Sequence, residues 1–407
     1  LKPVAPFAPG VPGPTRSMAL LTHEDAGAYV AQRLAALPGA SPLAGARGEL
    51  RAREISGGNL NFAFVVEDAD GRAVFLKQAP DYIKVIGPEA KLARERMRLE
   101  IAVYREWERS LGSAAAATCL PRIYDFDDER MAFTMEFLSS YQLLQSSLFA
   151  GDANESIARS IGASLGLMHA RTHCSVVASE EEKRLASSFE NGRMRDIQLE
   201  YVFSKCYRED NRAEHLRTDP AFMQEVEALK AAYRGEHQFD LALLHGDLHA
   251  GSIMADAAAG AFKFIDPEFA IYGPPGLDVG SLLSTYALAY CFRGTAAGGV
   301  GCDALLACVD AIWDAYAKAM VDNGIAQKLV ARAGELAVGF AGCEVARTAL
   351  GMAYERSIRI DDGARRAAAE AGALEVGRRC IVGRHGKGIE VLKSELVKFG
   401  LEFVSAQ

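Results

Sequence analysis

The chain has 407 residues, half of them apolar and 24% charged, enough to bury a large core spread over two or three domains. A formal net charge of −8 and a pI near 5.6 exclude nucleic acid or an anionic membrane surface as the main partner, because both attract basic proteins. No run of about twenty uncharged apolar residues offers a membrane span, and the eight cysteines, without a Cys-x-x-Cys pair, read as reduced core thiols of a cytoplasmic protein.

Residues 1–17 carry Pro3, Pro6, Pro9, Pro12 and Pro14 but no apolar signal-peptide core, and read as a flexible leader or expression remnant with Met18 a candidate natural start. Residues 22–37 predict a helix: Thr22 can cap it, Glu24 and Asp25 suit its first turn, Tyr29, Val30, Leu34 and Leu37 repeat at helical spacing, and Pro38 stops it. From residue 50 the period changes to two. Residues 50–55, 62–67 and 73–77 read as an antiparallel sheet with Asp70-Gly71 as the turn between the last two strands. A charged helix is expected over 89–111, strands near 122–126 and 131–135, and then helices over 157–168, 222–233, 279–292, 304–320, 328–352 and 389–396. A strand-rich first third joined to a helix-rich remainder predicts an α+β protein of two lobes, 18–138 and 139–407, with the junction near residues 136–140.

Several motifs carry chemistry on that frame. In Ile55-Ser-Gly-Gly-Asn-Leu-Asn-Phe62, between two strands, Gly57 and Gly58 allow backbone amides to approach phosphate oxygens and Asn59 and Asn61 add polar contacts, although an ordinary hairpin turn reads the same way. Lys77 ends the third strand, where it can reach nucleotide phosphates or simply be solvated, and Glu100 on the next helix can pair with it. No Gly-x-x-x-x-Gly-Lys-[Ser/Thr] occurs, so a P-loop has no support. Asp247, in His245-Gly-Asp-Leu-His-Ala-Gly-Ser-Ile253, follows the buried-strand pattern Leu241-Ala-Leu-Leu244 and sits where a strand opens into a loop, suited to accept a hydrogen bond from an attacking hydroxyl. His245 is expected to pack within the loop and His249 to face a pocket. Nineteen residues after Asp247 stands Asp266-Pro-Glu268. In extended backbone, positions i and i+2 point to one side, so the two carboxylates form a hard-oxygen pair for Mg²⁺; a solvated acidic turn is the alternative. His169 and His173 share a helix face but lack a third zinc ligand and are expected in the core. Together these parts predict ATP- and Mg²⁺-dependent phosphoryl transfer to a small molecule.

The segments 245–253 and 266–269, Tyr272-Gly-Pro274, Gly276 and Asp278 resemble the methylthioribose kinase family, relatives of the aminoglycoside phosphotransferases. Gly-Asn-Leu-Asn at 58–61, Lys77-Gln-Ala and Phe340-Ala-Gly-Cys-Glu344 extend the resemblance over about residues 50–360. It implies a bilobal protein-kinase-like fold and ATP-dependent phosphorylation of the 1-hydroxyl of 5-methylthioribose, a step of methionine salvage, by a cytoplasmic enzyme that forms a homodimer. It implies that Gly57, Gly58, Asn59, Lys77, Glu100, Glu136 and Leu138 serve the nucleotide, Asp266 and Glu268 the metal, and Asp247, His249 and Arg347 the sugar. Ser252 stands at the fifth position after Asp247, where protein and aminoglycoside kinases carry a metal-binding Asn. Thr348 replaces the second of two consecutive arginines, and Gly87-Pro-Glu-Ala90 lacks the family's tryptophan. The competing readings are a kinase for another 5-modified pentose, an antibiotic phosphotransferase and a nucleotide-binding pseudokinase.

Overall fold

A computed structural model of the chain describes residues 20–35, 41–46, 48–55, 58–236, 240–295, 299–353 and 360–405. The leader, Met18 and Gly57 lie outside the described residues. The chain divides into two compact units, one of residues 1–97 and 123–137 and the other of residues 98–122 and 138–407. The α+β class expected from the sequence is the class observed.

In the first unit, helix α1 (His23–Ala35) is followed by strands β1 (Arg51–Glu54), β2 (Phe62–Glu67), β3 (Ala73–Gln78), β4 (Tyr82–Ile83) and β5 (Gly87–Lys91). The chain then leaves for the second unit, which holds helix α2 (Arg96–Leu111) from Arg98 onward and helix α3 (Ser113–Cys119), and returns to the first with β6 (Ile123–Asp127) and β7 (Ala132–Glu136). The main sheet is antiparallel, in the order β1-β2-β3-β7-β6. Alternation along β2 and β3 places Phe64, Val66, Val74 and Leu76 in one core with Ala26, Val30 and Leu34 of α1, which share a face at four-residue spacing. Thr22 and Asp25 cap α1 reciprocally, each side chain taking the other's backbone N–H at 3.3 Å.

The helix expected over 89–111 begins only at Arg96. Residues 82–91 instead form a two-stranded ribbon, β4 against β5, with Val85 62% exposed near its tip. Pairing of Tyr82 with Lys91 and of Ile83 with Gly87 holds residues 87–91 extended, and the helix can start only after the ribbon ends. Arg96 then fixes the ribbon's return: its guanidinium donates to the carbonyls of Pro80, Ala93 and Leu60 and to Asn61 Oδ1 at 2.9–3.0 Å.

The second unit holds, after α3, strand β8 (Gln142–Leu143) and helices α4 (Leu144–Ala150), α5 (Glu155–Thr172), α6 (Ser179–Ser188), α7 (Gly192–Phe203), α8 (Lys205–Glu209), α9 (Glu214–Arg217) and α10 (Pro220–Tyr233). Short strands follow, β9 (Ala242–Leu244), β10 (Ile253–Asp256), β11 (Ala261–Phe264) and β12 (Ile271–Gly273), and then α11 (Gly276–Gly294), α12 (Cys302–Asp322), α13 (Gln327–Ala349), α14 (Gly363–Gly383) and α15 (Ile389–Ser405). Its core is helix on helix, with backbones in close approach: a Cβ on Gly280 of α11 would lie 2.4 Å from the Ala337 carbonyl of α13, and one on Gly377 of α14 would lie 2.8 Å from the Gly342 carbonyl. All eight cysteines are free, seven of them buried. Burial pushes the Cys119 and Cys308 thiols up to about 11, so they stay protonated and unreactive at neutral pH. None of the helices in the described residues is long and apolar enough to cross a membrane.

Candidate active site

The turn after β9 is closely determined by its surroundings. Ala242, Leu243 and Leu244 are fully buried and pair with β12, so the chain leaves the core at His245 in a fixed direction. Gly246 has φ +85, and a Cβ there would fall 2.0 Å from the Phe269 carbonyl oxygen; no other residue fits. Fully buried Asp278, in the first turn of α11, accepts the backbone N–H groups of His245 (Oδ2, 2.7 Å) and Gly246 (Oδ1, 2.9 Å). His169 of α5 adds its Nε2–H to Asp278 Oδ2 at 3.2 Å and takes the Tyr316 hydroxyl on Nδ1 at 3.1 Å. The sequence placed His169 in the core and Asp278 in a motif. That the two brace this turn becomes visible only when α5, α11 and α12 come together.

His245 packs as expected. Its ring stacks on Trp107 with centroids 6.3 Å apart, Nε2–H donates to the Ile265 carbonyl at 2.8 Å, and Nδ1 accepts the N–H of Asp247 at 3.4 Å. The Asp247 carbonyl accepts the N–H of His249 (3.0 Å) and the Ser252 hydroxyl (3.1 Å). Ser252 is therefore turned back onto the loop backbone. The Asp247 side chain is 20% exposed, with Oδ2 3.7 Å from His249 Nε2. His249 Nδ1 accepts the Gly251 N–H at 2.9 Å, which leaves the proton of a neutral ring on Nε2, toward Asp247.

Asp266 and Glu268 do come together, by a geometry other than the one expected. Asp266 is not extended: its φ is +66, and its N–H donates to the Tyr104 hydroxyl at 3.1 Å. With that twist, carboxylate oxygens of Asp266, Glu268 and Glu100 of α2 all lie within 4.8 Å of one another. Among the described residues this is the only such group of three His, Cys, Asp or Glu side chains. Octahedral Mg²⁺ with bonds of about 2.1 Å sets its ligand oxygens roughly 3 to 4 Å apart, so this all-oxygen set fits a hard divalent cation. Glu100, expected from the sequence as a partner for Lys77, also stands as a third carboxylate beside Asp266 and Glu268. Spacing along the chain carried no sign of that.

A small pocket opens beside the Asp247 turn. His249, Thr285 of α11 and Glu344 and Thr348 of α13 supply polar lining, and Phe149 and Leu288 supply apolar lining. Arg347 is buried and donates Nε–H to Glu344 Oε2 at 2.7 Å; Nη2 also lies 2.7 Å from that oxygen. Burial works against the Arg347 charge, but the carboxylates of Glu344 and Asp247 outweigh it and hold the guanidinium above its usual range. Asp247, His249 and Arg347, far apart in sequence, thus share one neighbourhood.

In the first unit Lys77 is buried on β3, between Ala63 of β2 and Phe133 of β7. Gly58 has φ +82 with open space where a Cβ would stand, Asn59 is exposed, and the Asn59 carbonyl accepts the Val85 N–H at 3.1 Å. Glu136 ends β7 half-buried, and buried Leu138 opens the long final stretch of the second unit.

With this geometry in view, comparison with known proteins is specific. A model of the phosphotransferase enzyme family matches residues 51–317. The chain is 31% identical over 379 residues to a methylthioribose kinase of Geobacillus sp. (strain WCH70), covering 87% of this chain and 90% of that protein. It is 30% identical over 392 residues to the methylthioribose kinase of Klebsiella pneumoniae (strain 342), covering 89% and 94%. Among solved structures it is similar to a Plasmodium vivax ethanolamine kinase, 14% identical with a TM-score of 0.46 over 81% of this chain and 82% of that one. The chain belongs to the phosphotransferase enzyme family and, within it, to the methylthioribose kinase family. It is accordingly an ATP-dependent kinase of protein-kinase-like fold acting on an alcohol.

Proposed function

We propose that the chain transfers the γ-phosphoryl group of ATP to the 1-hydroxyl of 5-methylthioribose, a step of methionine salvage. The observation that carries this reading is the Asp247 turn, fixed by Asp278, beside a cavity walled by His249, Thr285, Glu344 and Thr348. Asp247 accepts the proton of the attacking hydroxyl as its oxygen bonds to phosphorus and the bond to the ADP oxygen breaks. Arg347, fixed by Glu344 and close enough to feel the Asp247 charge, places a cationic fork where polyol hydroxyls or the moving phosphoryl group gather. The apolar lining from Phe149 and Leu288 suits a methylthio substituent.

Asp266 and Glu268, with Glu100 beside them, would hold Mg²⁺, which when bound offsets charge on the nucleotide phosphates. Gly57, Gly58, Asn59, Lys77, Glu136 and Leu138 are the residues assigned to the nucleotide, on the strength of the family resemblance. Cytoplasmic residence and a homodimer belong to the same proposal and rest on that resemblance. An antibiotic phosphotransferase fits less well, since a polycationic acceptor wants free carboxylates and the one acidic residue lining this cavity already faces Arg347. A screen of Mg-ATP turnover with methylthioribose, ribose, 5-deoxyribose and aminoglycosides tests the reading. We expect methylthioribose to give the highest kcat/KM; a rate no higher than that for ribose rejects the assignment.

A further inference from the structure

Glu344 is 6% exposed, yet only one of its oxygens is used: Oε2 receives both contacts from Arg347, while Oε1 takes no hydrogen bond among the described residues. That oxygen is not an enclosed, unsatisfied atom: it stays accessible and is open to a donor from outside the protein. Glu344 lines the cavity beside the Asp247 turn, so the space its idle oxygen can reach is that cavity. No lysine or arginine lines it, and the nearby guanidinium of Arg347 is already committed to Glu344. We infer that Glu344 is a specificity-determining residue, whose Oε1 accepts a hydrogen bond from a hydroxyl of the acceptor and whose charge keeps anionic acceptors out. This inference rests on the reading of the cavity as the acceptor site.

The chemistry follows from what a carboxylate does. It has no proton to give, so it recognises donors, and the hydroxyls of a neutral polyol supply them. A phosphate or carboxylate on the acceptor would stand against it without a free cation to compensate, and like charges in a partly desolvated pocket repel strongly. Thr348 lies one helical turn beyond Glu344 on α13 and also lines the cavity. It offers a neutral hydroxyl and so adds no anion-binding charge. The acceptor class is therefore a neutral sugar with free hydroxyls, selected against its own 5-phosphate and 5-carboxylate analogues.

The test uses the full-length enzyme and the best neutral acceptor found by the turnover screen. Glu344→Gln keeps the shape and leaves a carbonyl oxygen for Arg347, but removes the charge. We expect the acceptor KM to rise at least about tenfold, the change expected from losing a hydrogen bond to a charged group, with ATP KM unchanged and kcat changed less than about threefold. Inhibition by the 5-phosphate analogue should strengthen in the variant. Monodeoxy acceptors locate the contact: the analogue lacking the recognised hydroxyl should have nearly the same KM in wild type and Glu344→Gln. If Glu344 serves only to hold Arg347, Glu344→Gln weakens the parent sugar and every monodeoxy analogue by the same factor, so no deoxy analogue closes the gap, and the inference is overturned; an acceptor KM within threefold of wild type overturns it too. Should Glu344→Gln fold poorly, the wild-type enzyme still decides, because equal affinity for the neutral sugar and its 5-phosphate overturns it too. Absence of turnover on every neutral sugar would reject the proposed reaction itself, a separate outcome.

Discussion

Replacing Asp278 by Asn isolates the element that fixes the catalytic turn. The carboxylate receives three donors in a fully buried setting: the N–H of His245 on Oδ2 at 2.7 Å, the N–H of Gly246 on Oδ1 at 2.9 Å and His169 Nε2–H on Oδ2 at 3.2 Å. Asn offers one acceptor oxygen and an NH₂ group. In its better orientation the oxygen keeps His245 and His169, and the NH₂ is pressed against the Gly246 N–H, donor against donor. Leaving that buried donor unsatisfied costs about 1–3 kcal/mol, and turning two charge-assisted bonds into neutral ones costs roughly 1 kcal/mol each. The sum, about 3–5 kcal/mol, is less than the stability of a typical domain at its upper range, so the variant should fold with a lowered urea midpoint. Because Gly246 precedes Asp247, the turn should relax where the base is held, and a displacement of about 1 Å is enough to lower kcat by roughly 10². His169→Gln, which leaves both backbone bonds to Asp278 intact, should be milder in both respects. The assays are urea unfolding and steady-state turnover on the same preparation; wild-type stability together with a kcat within threefold of wild type would refute the reasoning.

Other outcomes follow from the site. Asp247→Asn should retain nucleotide binding, measured by calorimetry, and lose about 10² to 10⁴ in kcat; a loss under threefold removes it from the mechanism. Asp266→Ala and Glu268→Ala should each raise the Mg²⁺ concentration for half-maximal rate, and a Glu268→Ala titration that overlays wild type would make that residue part of the loop only. Arg347→Lys keeps charge but loses the fork that meets Glu344, and should lower kcat/KM for the acceptor at least about tenfold, or roughly 1.4 kcal/mol, with ATP affinity nearly unchanged. His173 supplies a pH dependence of stability: burial opposes its charge, but the hydrogen bond to Asp240 at 3.2 Å, helped by Cys174, overrides this and raises it from 6.5 to about 9. A group raised on folding stabilises fully below its unfolded value and loses that contribution as pH climbs through its folded one. Unfolding free energy should therefore fall between about pH 6.5 and 9, by up to about 3 kcal/mol, and His173→Gln should flatten that decline.

Local structure is legible in the sequence where one physical cause dominates. Alternation fixed β2 and β3, the Asp70-Gly71 turn lies between them with Gly71 at φ +78, and the long apolar helices α5, α10, α11, α12 and α13 stand close to where their periodicity put them. Helix α14 went unread because it is built of alanine, arginine and glycine. Its apolar face is made by close approach, Gly377 against Gly342 and Gly372 against Phe399, and a glycine that lets helices touch looks in sequence like one that breaks them. The ribbon of residues 82–91 was missed for the opposite reason, since its charged residues suit a helix and only pairing with Tyr82–Ile83 draws them into a strand.

For the site, sequence spacing named Asp247, Asp266 and Glu268 because each follows a buried strand, and a strand end is where backbone direction is fixed. It could not show how their side chains are aimed. The extended-backbone argument for Asp266 and Glu268 reached a convergence that the chain achieves through a left-handed residue, at φ +66. Strain of that kind in a non-glycine residue, of the order of 1–3 kcal/mol, persists only where surrounding structure over-determines it. Here the Tyr104 hydroxyl accepts the Asp266 N–H, and the Asn191 side-chain NH₂ donates to the carbonyls of Glu268 and Ala270. Tyr104 lies on α2, the helix that also carries Glu100. The same helix therefore both twists Asp266 and presents the third carboxylate, so the acidic cluster depends on the docking of α2 against the β11–β12 loop rather than on the Asp-Pro-Glu motif alone. Tyr104→Phe, which removes the acceptor and keeps the ring, should for that reason resemble a mild Asp266 variant in its Mg²⁺ titration.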